Sequence, residues 1–272
     1  REQMKISGRI TDSVTLKFSS LAREKNQAGE KLISLGLGEP AFETPAPIIE
    51  ASYEAMKKGL TRYSNPMGLY PLRKRIAKKL NDENAILASA ESLLVTPGAK
   101  NALFLALAAI LEPGDRVINF TPCYVSYLPE VLIAEPEADL VNIDLRGEDF
   151  SIDLDELKKS FSKNTKAIII NSPHNPTGKM LSRDELLAIS RLVEGTDCYI
   201  VSDEVYERLN HSSKPHISPG SLKELAERTI TINGFSKTYS MTGWRIGYLH
   251  APKELMPKLS KLQQHLNTNT CT

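Results

Sequence analysis

Lys237 stands in a polar turn, between small hydroxylated and aromatic residues, directly after the short β-rich run 229–232. An amine that lies close to backbone and is partly shielded from water has a lowered pKa, and its neutral form can attack a carbonyl group. Ser236 precedes this lysine, and Arg245 follows eight residues after it. A hydroxyl and a planar cation suit a phosphate or carboxylate. The turn therefore predicts a site for an aldehyde cofactor that carries a phosphate.

An acid thirty-four residues earlier would complete such a site: Asp203 ends an apolar run that begins at Tyr199. A carboxylate in that position needs a cationic partner to stay ionised once it is buried. The protonated nitrogen of a pyridine ring would serve, and Tyr206 is close enough in sequence to reach the same ring. The alternatives are a metal-binding acid or a surface Asp-Glu pair. No other ligand cluster accompanies Asp203, so we predict no metal site.

A second anion-binding element is predicted at residues 97–100, where a short apolar strand gives way to a helix. Small residues leave the first N–H groups of a helix accessible, and the helix dipole favours an anion there. Gly98, Ala99 and Lys100 are the predicted donors. Many helices begin in this way, so the pattern alone is weak.

Two further strand ends carry polar or aromatic groups. Tyr124 follows the strand-like run 117–120, and an aromatic ring there can stack on a planar cofactor. Tyr127 is interpreted as a packing residue. Asn175 lies in a loop after the run 167–170, held between two prolines that would make the loop rigid. A structural role for both tyrosines is the alternative.

In combination, the run from Ser236 to Gly247 and the Asn-Pro-Thr-Gly element that begins at Asn175 resemble the class I and II aminotransferases. These are fold-type I enzymes that use pyridoxal 5'-phosphate. The resemblance implies that Lys237 forms the Schiff base with the cofactor and that Asp203 pairs with its pyridine nitrogen. It assigns the other cofactor contacts to Tyr63, Gly98, Ala99, Lys100, Tyr124, Asn175, Tyr206, Ser236 and Arg245.

The same resemblance implies a reaction and an assembly. The reaction is a ping-pong transfer of an amino group between an L-amino acid, with aspartate favoured, and a 2-oxo acid such as 2-oxoglutarate. Lys237, Asp203 and Tyr206 would be catalytic, and Gly38, Tyr124 and Asn175 would contact the substrate. The family is homodimeric, and Tyr63 matches the tyrosine that reaches the cofactor phosphate of the neighbouring subunit.

The alternation of strand and helix patterns favours an α/β fold with a mainly parallel sheet. The resemblance extends this to a three-layer α/β/α large domain over residues 46–272, preceded at 1–45 by an N-terminal arm and part of a small domain. Helices are predicted at 15–27, 46–58 and 70–80, and a strand at 199–206. The C-terminal small domain of the family, with the arginine that binds the substrate carboxylate, is expected to be largely missing. The chain alone is therefore expected to bind cofactor poorly and to transaminate weakly or not at all.

Composition narrows the class of protein. The chain has 272 residues, 41% of them hydrophobic and 25% charged, and no apolar run approaches the length of a membrane span. Lys and Arg number 34 against 33 Asp and Glu, so charge gives no case for nucleic acid or a membrane surface. Three scattered cysteines predict neither a disulfide framework nor a zinc site. We expect a cytoplasmic protein.

Two alternative functions stay open at this point. A pyridoxal-phosphate lyase would share the lysine, the aspartate and the Asn-Pro-Thr-Gly loop, although the run 241–245 looks more like an aminotransferase. A regulator could retain the fold as a cofactor-sensing domain. Such regulators usually carry a DNA-binding module, and no basic helix-turn-helix pattern precedes residue 30.

Overall fold

The computed structural model describes residues 6–33, 36 and 38–271. Eight α helices occur in these ranges: α1 Val14–Gln27, α2 Ala46–Lys57, α3 Tyr70–Asn84, α4 Ala99–Ile110, α5 Tyr127–Ala134, α6 Leu154–Ser160, α7 Arg183–Val193 and α8 Met256–Leu266. The predicted helices at the N-terminal side are confirmed. The third is one turn longer than expected, because its pattern continues through a polar stretch to Asn84.

One sheet organises the chain. Its seven strands are β1 Leu93–Thr96, β2 Arg116–Thr121, β3 Asp139–Asp144, β4 Thr165–Asn171, β5 Tyr199–Asp203, β6 Thr229–Gly234 and β7 Gly247–His250. They lie in the order β1-β7-β6-β5-β4-β2-β3. β7 pairs antiparallel with both of its neighbours, and all other pairs are parallel. The predicted mainly parallel mixed sheet is therefore confirmed.

The two faces of the sheet carry separate apolar cores, because successive residues of a strand point to opposite sides. On one face α4, α5 and α8 cover the sheet, and Leu259 shares a core with Val201. On the other face α6 and α7 pack, and Leu157 and Ile189 share a core with Ile200. α3 continues this second face over β1 and β7. The result is the three-layer α/β/α arrangement that the sequence predicts.

The strand predicted at 199–206 ends earlier, at Asp203. The last bond to the neighbouring strand runs from Glu204 N–H to the carbonyl of Ile232 in β6, at 2.8 Å. The backbone then turns, since Glu207 N–H donates to the carbonyl of Glu204 at 3.1 Å. Tyr206 therefore belongs to a turn and not to the strand. In a turn, the side chains of Asp203 and Tyr206 can both face the same side of the sheet edge.

The N-terminal region contributes little to the two cores. α1 has a single buried residue, Ser19, and α2 has none among the residues described. The first five residues, together with Ser34, Leu35 and Leu37, lie outside the described part of the chain. The division into an arm at 1–45 and a domain at 46–272 stays a prediction.

Candidate active site

Five of the predicted residues follow strands that run in the same direction. Asp203 ends its strand, and the other four lie in the segments after β1, β2, β4 and β6: Gly98, Tyr124, Asn175 and Lys237. These strands are all oriented alike, so their carboxyl ends meet at one edge of the sheet. Ligands of α/β sheets bind outside this edge. The topology thus brings the separate sequence elements to one place.

Asp203 is a carboxylate in an environment that opposes its charge. Tyr127 donates its hydroxyl hydrogen to Asp203 Oδ2 at 2.9 Å, and Val205 N–H donates to Oδ1 at 3.3 Å. Burial nevertheless raises the pKa of Asp203 from its usual 3.8 to about 6, although both hydrogen bonds lower it. Within the described ranges Asp203 forms no ion pair with a lysine, arginine or histidine. A buried carboxylate in such a place is stabilised in its ionised form by a nearby cation.

Lys237 is half-buried in the turn after β6. Its ammonium donates to the carbonyl of Gly38 and lies 5.8 Å from the centre of the Tyr206 ring. Burial lowers the pKa of Lys237, and Arg245 lowers it further, while the charges of Glu39 and Asp203 oppose the shift. The sequence predicts this direction, since a partly desolvated amine loses its proton more easily. A larger fraction of Lys237 is therefore neutral and nucleophilic than for an exposed lysine.

Tyr206 and Asn175 form a pair of hydrogen-bond donors at the same edge. Asn175 Nδ2 donates to Tyr206 Oη at 3.2 Å. Burial and the charge of Asp203 raise the pKa of Tyr206 to about 12, so its hydroxyl keeps its proton and can donate. Asn171 orients this pair, because its side chain accepts from Asn175 N–H at 2.6 Å and donates to the carbonyl of Asp203 at 2.8 Å.

The sequence predicts an anion-binding corner at the N-terminus of α4, and the structure places Arg245 beside it. Gly98 has φ +84°, and a Cβ added to it would overlap the guanidinium of Arg245. Only glycine fits this position without strain, because it combines a left-handed backbone with a neighbour in direct contact. Arg245 is itself anchored by donating to the carbonyl of Thr242 at 2.8 Å. The arginine therefore lies against the first turn of α4, where Ala99 and Lys100 carry N–H groups without helical acceptors.

Tyr124 contacts both Tyr127 and Lys100. Its ring meets the ring of Tyr127 edge-on, with centroids 5.6 Å apart, and the ammonium of Lys100 lies 5.7 Å from its centroid. Tyr127 packs as expected, since it is almost fully buried. The interpretation as a packing residue alone was wrong, however, because its hydroxyl is the side-chain donor to Asp203.

Three residues predicted at this site are placed without a contact that defines their role. Ser236 is half-buried beside the lysine. Tyr63 lies in the loop between α2 and α3 with 88% of its surface exposed. Gly38 contacts the site only through its carbonyl, which accepts from Lys237. Their roles toward cofactor, partner and substrate stay predictions.

This edge of the sheet is that of a fold-type I transferase: a three-layer, mainly parallel domain that collects a desolvated lysine and a buried carboxylate at its strand ends. The sequence profile of the family described as Aminotransferase class I and II matches residues 30–272. The chain belongs to the class I and II aminotransferase family, and it is an aminotransferase. Members of this family use pyridoxal phosphate. The family match and the relatives do not favour the lyase or the regulator as alternatives.

Individual relatives agree with this assignment. The aspartate aminotransferase of Thermotoga maritima is 39% identical over 269 residues, which are 98% of this chain and 70% of that protein. The aspartate aminotransferase of Bacillus subtilis is 40% identical over 98% of this chain and 68% of its own length. The structure of the Thermus thermophilus aspartate aminotransferase with maleate superposes with a TM-score of 0.94 at 36% identity, covering all of this chain and 70% of that one. Among the residues described here, none of the helices has the length and apolar character that a membrane crossing needs.

Proposed function

We propose that this aminotransferase binds pyridoxal phosphate between Lys237 and Asp203 and exchanges amino groups in a ping-pong reaction. An L-amino acid with a side chain like that of aspartate is the proposed donor, and 2-oxoglutarate the proposed acceptor. The observation that carries the proposal is the state of Asp203. A carboxylate with a pKa raised to about 6 by burial, and with no ion pair to a lysine, arginine or histidine among the described residues, suits a protonated ring nitrogen.

The cofactor, when bound, supplies an aldehyde that condenses with amines and a ring that withdraws electrons from the substrate α-carbon. Lys237 supplies the amine. Its lowered pKa leaves part of it neutral, so its Nζ can accept the proton from the substrate α-carbon and return it. The carboxylate of Asp203 keeps a proton on the ring nitrogen. Tyr127 supports this role by stabilising the ionised form of Asp203 through its 2.9 Å hydrogen bond.

Asn175 and Tyr206 are proposed to donate to the phenolic oxygen of the cofactor ring. Their side chains already lie within hydrogen-bond distance of each other, so one acceptor between them could meet both. The raised pKa of Tyr206 keeps its hydroxyl protonated for that purpose. Two neutral hydrogen-bond donors would stabilise a negatively charged ring oxygen without removing a proton from the cofactor.

The phosphate is proposed to bind at the corner formed by α4 and the lysine turn. Ala99 and Lys100 would offer backbone N–H groups, and Ser236 and Arg245 a hydroxyl and a guanidinium. The N–H of Gly98, also predicted as a donor, instead donates to the carbonyl of Thr96 at 2.7 Å. Support comes from the close packing of Arg245 on Gly98, which places a cation beside a helix N-terminus. Tyr124 is proposed to lie against the cofactor ring, and with Gly38 and Asn175 to contact the substrate.

The proposed substrates rest on the relatives. All three relatives described above are aspartate aminotransferases, and the Thermus structure is one with maleate, a four-carbon dicarboxylate. We also propose a homodimer in which Tyr63 contacts the cofactor phosphate of the partner subunit, and its high exposure in the single chain supports this. A cytoplasmic location is proposed on cysteine usage alone.

The test is a product analysis with ¹⁵N-aspartate and 2-oxoglutarate in the presence of pyridoxal phosphate. We expect ¹⁵N-glutamate and oxaloacetate. Product identity is a better criterion than rate, since the chain spans about 70% of the length of its relatives. Release of ¹⁵N-ammonia with no labelled glutamate would contradict the proposal and favour lyase chemistry. The Lys237→Ala variant is the control that excludes a contaminating transaminase.

A further inference from the structure

A second group of ionisable side chains lies behind the strand that ends at Asp203. Glu204 leaves the sheet on the face opposite to Asp203, because neighbouring residues of a strand alternate in direction. It is completely buried, with no exposed surface. Three charged or titratable residues meet around it: Lys79, Glu207 and His216. The proposed chemistry assigns no role to any of them.

Every acceptor atom of the Glu204 carboxylate has a donor. Ser202 and Ser218 donate their hydroxyl hydrogens to Oε1 at 2.8 and 2.7 Å. His216 donates from Nε2 to Oε2 at 2.9 Å. A buried carboxylate is tolerated only when it is bonded in this way, because losing one partner leaves an uncompensated charge. Glu204 is therefore held in one position from three sides.

The cluster balances its own charge. Lys79 of α3 pairs with Glu207, and Asn84 donates to the other oxygen of Glu207 at 2.7 Å. Burial alone would lower the pKa of His216, but its bond to Glu204 and the charges of both acids outweigh this and raise it. Whenever His216 is protonated, two acids face two cations, although its buried Nδ1 has no hydrogen-bond partner among the described residues.

The spacing of this cluster also resembles a metal site. Single ligand atoms of Glu204, Glu207 and His216 lie within 4.8 Å of one another. The carboxylates are, however, already occupied by hydroxyl, imidazole and ammonium donors. Lys79 supplies the cation that a metal would otherwise bring, so the contacts favour a structural ion cluster.

The short segment 203–207 connects this cluster to the candidate active site. Asp203 and Tyr206 face Lys237 and Asn175, whereas Glu204 and Glu207 face the buried cluster. Anchoring the second pair fixes the direction of the first, since all four side chains share one turn. The backbone bond from Glu207 N–H to the carbonyl of Glu204 closes that turn.

We propose that Glu204 is a positioning residue, which holds Asp203 and Tyr206 in the orientation that the cofactor ring requires. His216 and Ser218 act through Glu204 and do not contact the cofactor. The proposal rests on the proposed function, because it assigns a purpose to the orientation of Asp203. It extends that function to residues on the other side of the sheet.

The experiment compares Glu204→Gln with the wild-type chain in two measurements. Hydrogen exchange of the apoprotein, read by mass spectrometry over residues 203–209, is expected to become at least about tenfold faster, with β4 unchanged. Pyridoxal phosphate binding, followed by quenching of the fluorescence of Trp244, is expected to weaken about tenfold, as for a small displacement of a catalytic group. Trp244 is the only tryptophan of the chain and lies in the lysine turn.

Two further variants keep the test decisive. Ser218→Ala removes a single donor to Glu204, so we expect faster exchange and weaker cofactor binding, both to a smaller extent. This variant also provides the test if Glu204→Gln does not fold. Ser190→Ala is its matched control, because that buried hydroxyl donates to the carbonyl of Leu187 in α7 and to no other acceptor in the described part of the chain. It should leave exchange at 203–209 and cofactor binding as in the wild type.

The possible outcomes separate the two proposals. Wild-type exchange and binding in both Glu204→Gln and Ser218→Ala would overturn the positioning role. A melting temperature that rises with added Zn²⁺ in the wild type but not in Glu204→Gln would overturn it in favour of a metal site. If the wild type itself binds no pyridoxal phosphate, the proposed function fails, while the exchange comparison still decides whether Glu204 fixes the segment.

Discussion

Replacing Asp203 with asparagine should stabilise the apoprotein at neutral and alkaline pH and, at the same time, weaken the binding of pyridoxal phosphate. The pKa of Asp203 is raised from 3.8 to about 6, so ionising it costs more in the folded than in the unfolded chain. A shift of about two units corresponds to about 3 kcal/mol. Asparagine has the same shape and no charge. Its Oδ1 can accept from Val205 N–H, and its Nδ2 can donate to the oxygen of Tyr127.

The sign of the pH dependence follows from the raised pKa. Below the unfolded-state pKa the carboxyl is protonated in both states, and its stabilising contribution is fully present. This contribution is lost as the pH rises through about 6, where the folded protein must ionise Asp203. The variant has no such loss. We therefore expect Asp203→Asn to match the wild type at about pH 4 and to exceed its unfolding free energy by about 1 to 3 kcal/mol at about pH 8.

Urea unfolding at several pH values, without cofactor, measures this difference. Other perturbed groups, such as Glu130 with its pKa raised to about 7 by burial, titrate in both proteins and cancel in the comparison. Tyr127→Phe is the companion variant, because it removes a hydrogen bond that lowers the pKa of Asp203, and should shift the pH at which stability is lost upward. A difference that is constant with pH, or that grows toward acid, would refute the reasoning.

Three further predictions concern the other parts of the site. Gly98→Ala should weaken pyridoxal phosphate binding by at least about tenfold, because its Cβ displaces the guanidinium of Arg245. Fluorescence titration measures this change. Equal weakening for pyridoxal without phosphate would argue against a phosphate site at this corner. Lys237→Ala should lose the phosphopyridoxyl label that borohydride fixes on a peptide, and a label retained elsewhere would move the reactive amine. Tyr63→Phe should weaken cofactor binding about tenfold with an unchanged sedimentation coefficient, and wild-type affinity would exclude the proposed contact across a dimer.

Much of the fold could be predicted because its inner strands are short apolar runs that end in distinctive turns. β4 and β6 bury nearly every residue, so their sequences read as strands. β3 is different: it is an edge strand, only Ile143 is buried in it, and Asp139, Asn142 and Asp144 are exposed, so it gives no comparable pattern. α5 is equally hard to recognise, since it has eight residues and contains Pro129.

The site could be predicted where function lies in local motifs, and it could not where it depends on contacts between distant elements. Lys237, Asp203 and Asn175 each stand in a recognisable turn. The hydrogen bond from Tyr127 to Asp203 joins residues 76 positions apart, and it depends on the shared core that holds Tyr127 of α5 near β5. Glu204 had a usable signal: strand alternation places it on the face opposite to Asp203, where an acid needs partners.

The proposed function requires one cofactor ring that lies against Asp203. The most direct test is ¹⁵N NMR of ring-labelled pyridoxal phosphate bound to the wild type and to Asp203→Asn. We predict the chemical shift of a protonated pyridine nitrogen in the wild type, and a change to that of a neutral pyridine nitrogen in the variant. A nitrogen that is neutral in the wild type, or one whose shift is the same in both proteins, would contradict the central claim.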